Sequence, residues 1–158
     1  MSSRDTNRIL DVNRNRSMEA LRVIEEYARF VLDSGTLSGQ VKALRHGLVT
    51  GFQKAGIGDL SEFRDSVGDV GRPGMTPVDA RKRGEIRDVL RANFSRAKES
   101  FRALEEYARP GHLKLAQGIE ILRYQLYDFE RECLNFDSRK TLRDRLKQES
   151  LCLLLTPS

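Results

Sequence analysis

Two stretches of this chain are copies of one another. Residues 13–29 read NRNRSMEALRVIEEYAR and residues 93–109 read NFSRAKESFRALEEYAR. At an offset of 80, nine of these seventeen positions are identical: Asn13/Asn93, Arg16/Arg96, Glu19/Glu99, Arg22/Arg102, Glu25/Glu105, Glu26/Glu106, Tyr27/Tyr107, Ala28/Ala108 and Arg29/Arg109. Upstream, Ile9, Leu10 and Val12 stand opposite Val89, Leu90 and Ala92. Downstream the likeness resumes after a two-residue deletion, with LSGQVKALRHGL (37–48) opposite LAQGIEILRYQL (115–126). A duplication of this length constrains the fold more than local propensity does, because each copy is one supersecondary unit that needs the other to cover its apolar face.

Within each copy the apolar residues recur at helical spacing. Residues 6–32 predict a first helix, capped by Asp5 or Thr6, with Ile9, Ala20, Ile24, Tyr27, Ala28 and Val31 on one side. Its charges pair at i, i+4, as in Arg22–Glu26 and Glu25–Arg29, and read as a self-neutralising solvated face. Gly35 is placed to end that helix. A second helix follows over 37–54, with Leu37, Val41, Leu44, Leu48 and Phe52 as its stripe; so short a connection implies an antiparallel hairpin. Thr76-Pro77 predicts the start of a third helix that runs to Ala108. The fourth covers 113–134, with Leu115, Ile119, Leu122 and Leu126 inward. The expected fold is all-α, a four-helix bundle built from two duplicated antiparallel hairpins and occupying residues 1–135. Residues 136–149 read as a charged linker helix. Residues 150–158, SLCLLLTPS, read as an orphan apolar strand, the first of an α/β domain that would follow.

The 158 residues carry a net charge of +5. Their Arg residues lie among Glu at helical spacing instead of clustering, which favours an anionic small substrate over a nucleic-acid partner. Cys133 and Cys152 are too few for a disulfide framework and have no metal-ligand spacing. A polar start and an apolar run no longer than Leu151–Leu155 point to a cytoplasmic protein with no membrane partner.

Chemistry concentrates in three places. Asn13 and Asn93 fall on otherwise apolar helix faces, with Arg16 and Arg96 at the edges. Burying such groups unpaired is costly, so either they satisfy one another or the backbone, or they line an internal polar pocket for an anionic ligand. Arg45 and Arg123 flank the stripes of the second and fourth helices, where a salt bridge to Glu19, Glu26, Glu99 or Glu106 is the plain alternative to a ligand contact. His46 follows Arg45, with Tyr124 in the equivalent place. The third place is the Gly-rich loop between the copies, with Arg64, Asp65, Gly68, Asp69, Gly71 and Arg72. Glycine backbone approaches phosphate closely, and Mg²⁺ needs only one or two carboxylates.

Taken together, NRxRxxEALRVxEEYARF near the start, LRH in the second helix, RDxxGDVG in the loop and ANFxRxxExxRxLEEYAR in the second half resemble the hydroxymethylpyrimidine phosphate kinase domain, a small helical family often fused ahead of thiamine phosphate synthase. The resemblance covers residues 5–134. The tail resembles the first barrel strand of the synthase, with Pro157 where that strand leads into a Thr-Asp loop. It implies transfer of a phosphoryl group from ATP, with Mg²⁺, to 4-amino-5-hydroxymethyl-2-methylpyrimidine phosphate, and rejection of the free alcohol. It also implies a covalently fused synthase domain as partner and leaves a homodimer open. In that setting Arg16, Arg96, Arg45 and Arg123 are expected to contact phosphates. Asn13, Asn93, His46, Glu19 and Glu99 would bind substrate. Arg64, Gly68 and Gly71 would close over ATP, with Asp65 or Asp69 on Mg²⁺. The rival expectation is a non-catalytic helical module that dimerises the synthase or channels substrate to it.

Overall fold

A computed structural model describes residues 3–65, 67, 68, 70 and 84–155, with side chains as far as Glu149. Four helices carry it: α1 (Ser3–Glu26), α2 (Gly35–Lys54), α3 (Ile86–Ala108) and α4 (Leu113–Leu155), with no strand among the described residues. The protein is all-α. The stripes of α2 and α4 behave as their spacing requires. Leu37, Val41, Leu44, Leu48 and Phe52 are buried, as are Leu115, Ile119 and Leu126, while Leu122 is partly buried against them.

The two hairpins meet helix to helix. Ser17 Oγ donates to Ser100 Oγ at 2.9 Å in the buried crossing of α1 and α3. Beyond the end of α1, the Tyr27 hydroxyl donates to Asp137 Oδ1 at 2.7 Å, and Asp137 also ion-pairs with Arg87 in the first turn of α3. The end of α1 thus lies by the start of α3, and the two run antiparallel. On the other side Gln40 Nε2 donates to Glu132 Oε2 at 3.0 Å. A Cβ on Gly47 would stand 2.8 Å from Leu122, so α2 and α4 also approach closely and antiparallel.

Three departures from expectation break the symmetry. The first copy holds two more residues between its helices than the second. Part of that excess is absorbed by a π-helical turn over Tyr27–Val31, where Leu32 N donates to Tyr27 O at 3.0 Å; such a turn takes in an extra residue without ending the helix. The left-handed residue that follows is Asp33 (φ 53°), not Gly35, and Ser34 caps α2 by accepting from Leu37 N at 3.3 Å. Asp tolerates this conformation better than most side chains. Next, α3 does not run unbroken from Thr76, because Glu85 is extended and forms a reciprocal capping box with Asp88 ahead of Ile86. Residues 71–83 lie outside the described part.

The third departure is α4. It is one helix of 43 residues through the expected linker and through 150–155, where a strand was expected. A strand needs a neighbour to pair its backbone groups, and none is present among the described residues. A helix satisfies those groups internally, and leucine favours it. Residues 156–158 are outside the described part. Residues 142–149 are all exposed, and the start of this extension supplies Asp137, which buries Tyr27. The equivalent Tyr107 has no such cover and is 40% exposed.

Each hairpin is pinned by a buried carboxylate. Arg45 Nη1 meets Glu25 Oε2 at 2.5 Å, and Arg123 Nε meets Glu105 Oε2 at 2.8 Å. Burial raises the Glu105 carboxyl, but hydrogen bonds from Arg109 and Arg123 and the nearby charges of Arg123 and Arg102 outweigh it and hold the group below the usual carboxylate range. A carboxyl lower in the folded than in the unfolded chain stabilises the fold above the unfolded value of about 4.3. That contribution is lost as pH falls through the folded value. The melting temperature should therefore drop as pH is lowered beyond about 4.3, and Glu105→Gln should flatten part of that slope. Equal slopes in the two proteins would show that Glu105 carries none of it.

Candidate functional site

A helix crossing built on small residues leaves a groove on either side of the contact, and here the groove is polar. The Ser17–Ser100 contact, taken with the offset of 80, places the repeat's twofold between Met18 and Glu19 on α1 and between Lys98 and Glu99 on α3. Along this antiparallel pair Glu19 and Glu99 lie nearest the axis, Arg16 and Arg96 next, and Asn13 and Asn93 at the far ends. All six line one cavity of about 810 Å³, with Ala20, Val23 and Ser100 completing its wall. The equivalent residues of the two copies thus come together in a single site.

The asparagines do not satisfy each other. Asn13 Nδ2 donates to Ile9 O at 2.9 Å and Asn93 Nδ2 to Val89 O at 2.7 Å, each within its own helix. Every amide so held spends one donor and keeps its Oδ1 acceptor for another group. Asn93 is buried and Asn13 half-buried. The arginines divide into two kinds. Arg22, Arg45, Arg64, Arg102, Arg109 and Arg123 are ion-paired. Among the described residues Arg16, Arg96, Glu19 and Glu99 belong to no such pair, and all four are exposed to the cavity's solvent.

The loop between the copies docks on α1. Arg64 forks onto Asp11, Nε to Oδ2 at 2.9 Å and Nη2 to Oδ1 at 3.0 Å, while Arg8 Nη2 donates to Asp65 O at 3.1 Å. Asp65 Oδ1 accepts from Gly68 N at 2.7 Å, and this bond holds the carboxyl below its ordinary range. A Cβ on Gly68 would meet the Asp65 carboxylate, so a larger residue there would displace that side chain from its bond to the turn. Gly68 and Val70 form one wall of a second cavity, about 440 Å³, whose other wall includes Arg8, Asn13 and Arg16. Asn13 and Arg16 are thus common to both cavities.

Other expected site residues lie elsewhere. Arg45 and Arg123 do not line either cavity; they are held by Glu25 and Glu105, not by Glu19, Glu26, Glu99 or Glu106. Arg123 also donates to the Tyr127 hydroxyl at 3.0 Å. His46 is exposed on α2, away from both cavities. Arg64 is a staple for the loop, with its guanidinium occupied by Asp11. Asp69 and Gly71 are outside the described residues. Sequence reasoning missed Arg8, Ser17 and Ser100. The two serines occupy equivalent helical faces one turn apart in the repeat, a signal visible once the offset is applied. Among the described residues no group of three or more His, Cys, Asp or Glu is placed to hold a metal ion, and no helix is long and apolar enough to cross a membrane.

The ThiD2 family matches the chain over residues 8–132. Similar proteins include the thiamine-phosphate synthase of Nostoc sp. (strain PCC 7120 / SAG 25.82 / UTEX 2576), 36% identical over 151 residues, which are 96% of this chain and 40% of that protein. The thiamine-phosphate synthase of Rhodopirellula baltica (strain DSM 10527 / NCIMB 13988 / SH1) is 37% identical over 150 residues, 91% of this chain and 40% of its own length. The chain therefore spans about two fifths of the length of these relatives. No solved structure gives a significant match.

The two kinds of arginine should separate in melting experiments. Arg123→Ala removes the hairpin partner of a buried carboxylate that keeps Arg102 and Arg109, and should cost about 1.5–3 kcal/mol. Arg16→Ala and Arg96→Ala remove exposed side chains and should stay within about 0.5 kcal/mol of the unaltered chain. A large loss of stability in either would make that arginine part of the scaffold.

Proposed function

The chain belongs to the ThiD2 family, and from that premise we propose that it acts in thiamine biosynthesis as a phosphotransferase. It converts 4-amino-5-hydroxymethyl-2-methylpyrimidine phosphate to the diphosphate at the expense of ATP. What supports the reading is the cavity where Asn13, Arg16, Asn93 and Arg96 converge with no described carboxylate paired to either arginine. A pair of cations kept unpaired in a half-enclosed polar groove suits an anionic ligand.

The reaction asks little else of the protein. An oxygen of the pyrimidine's phosphate forms the new bond to the γ-phosphorus of ATP, the bond from that phosphorus to the bridging oxygen breaks, and ADP leaves. The attacking oxygen is already anionic near neutral pH, so no strong general base is required. The barrier is the approach of two negative groups, which positioning and positive charge lower. Arg16 and Arg96 supply that charge, and Asn13 and Asn93 orient phosphate or the pyrimidine ring. Mg²⁺, when bound, neutralises charge on the phosphate oxygens. Asp65 is ionised and has one oxygen left over from its bond to Gly68, and Glu19 and Glu99 line the cavity itself, so the described residues offer the hard oxygen ligands this ion takes. Arg45 and Arg123 act one step away, holding the hairpins that carry the site.

The matched relatives are named for synthase activity, which favours a second reading: a helical module that serves a covalently joined synthase without chemistry of its own, as a dimeriser or a substrate channel. Both readings place the protein in the cytoplasm. Incubation with ATP, Mg²⁺ and the pyrimidine monophosphate separates them, because only the kinase reading yields diphosphate. Arg16→Ala should then lower turnover about a hundredfold or more with helix content unchanged. Absence of product from the unaltered chain would favour the module.

A further inference from the structure

The two halves of the cavity are equivalent in sequence but not in surroundings. Each half offers an asparagine with one amide N–H still to donate, an unpaired arginine and a glutamate, related by the twofold that passes between Glu19 and Glu99. The half built on Asn13 and Arg16 continues into a second chamber, walled by Gly68 and Val70 of the loop and by Arg8; among the described residues no such loop lies beside Asn93 and Arg96. In the other half the equivalent asparagine, Asn93, is 4% exposed and lines the first cavity but not the second.

We infer that the duplication has produced two phosphate half-sites. The half of Asn13 and Arg16 takes the polyphosphate of the nucleotide, and the half of Asn93 and Arg96 takes the single phosphate of the pyrimidine. This division rests on the kinase reading for its ligands and on the geometry for its two-part form. A phosphoryl transfer between two phosphate-bearing molecules needs two phosphate pockets of similar chemistry facing each other, which a doubled helix provides. The longer ligand needs the longer path, and that path runs past Arg16 to Arg8 and the loop, with Asp5 also on its wall. The shorter ligand takes the half of Asn93 and Arg96. The transferred group then lies near the axis, between Arg16 and Arg96.

The test is calorimetric titration of the full chain, Arg16→Gln and Arg96→Gln with three probes: an ATP analogue with a non-hydrolysable β,γ bridge plus Mg²⁺, the pyrimidine monophosphate, and inorganic phosphate. Melting curves of the three proteins should coincide, since both side chains are exposed. Arg16→Gln should weaken the nucleotide analogue about tenfold or more, the loss expected when a charge-assisted hydrogen bond goes, and leave the pyrimidine monophosphate nearly unchanged. Arg96→Gln should do the reverse. Equal weakening of both ligands by both variants, or an inverted pattern, overturns the division while the kinase reading stands. If neither organic ligand binds, yet two inorganic phosphates bind per chain and each variant loses one, the kinase reading falls and the two half-sites remain. Failure of the unaltered chain to bind phosphate in any form overturns the half-sites.

Discussion

The antiparallel contact of α1 with α3 decides most of what this protein can be. It is made by small residues. Ser17 meets Ser100, and the repeat's twofold sets Ala20 opposite Ala97; all four are buried. Small side chains let two helix backbones come close, and each serine hydroxyl also has a carbonyl of its own helix within reach, Asn13 O at 2.8 Å from Ser17 and Arg96 O at 2.7 Å from Ser100, so two protons share three acceptors. No donor is left stranded in the crossing, which would be costly at that depth. Because the contact sits in the middle of the repeat, the residues one and two turns away must fall symmetrically about it. Cavity, arginines and asparagines follow from where that crossing is.

Charge is then sorted by depth. Glu25 and Glu105 are almost fully buried, and each is held by arginines from its own helix and from its hairpin partner. Such a carboxylate leaves its arginines no freedom to meet a ligand. One turn and a half earlier in each copy, Glu19 and Glu99 reach no arginine among the described residues, and Arg16 and Arg96 stay uncommitted. Both sets of residues are identical in type. Their difference is geometric: Arg45 and Arg123 come from α2 and α4 at the level of Glu25 and Glu105, and neither helix sends an equivalent group to the level of Glu19 and Glu99. Scaffold and site are made from one alphabet of Arg and Glu, and the packing register determines which is which.

That register explains what the sequence alone could and could not tell. The stripes of α2 and α4 were legible because one apolar residue per turn leaves little choice of inward face. The cavity triplets were legible because duplication doubled a weak signal, and an asparagine on an apolar face twice over asks for an explanation. The burial of Glu25 and Glu105 was not legible. At i, i+4 from arginines they look like solvated charges, and only the neighbouring hairpin helix reveals otherwise. Asp33 in the left-handed region, the π turn and the unbroken α4 were hidden for a related reason. Each is a response to a non-local demand: two extra residues to absorb, or a backbone with no sheet to join.

Symmetry supplies the site, and departures from symmetry give it direction. A perfect twofold would offer two identical pockets and no reason for one ligand to choose either. Three features remove that degeneracy. The loop of Arg64 to Gly68 is stapled to α1 through Asp11 and Arg8 and has no counterpart on α3 among the described residues. The extension of α4 covers Tyr27 through Asp137 but leaves Tyr107 open, so the two hairpins differ in cover where they leave the core. Asn93 is buried where Asn13 is shared between two chambers. Each change is confined to the periphery of one copy, away from the Ser17–Ser100 crossing. A duplicated scaffold can therefore specialise its two halves without disturbing the contact that holds them together, because the residues that distinguish the halves are not those that pack them.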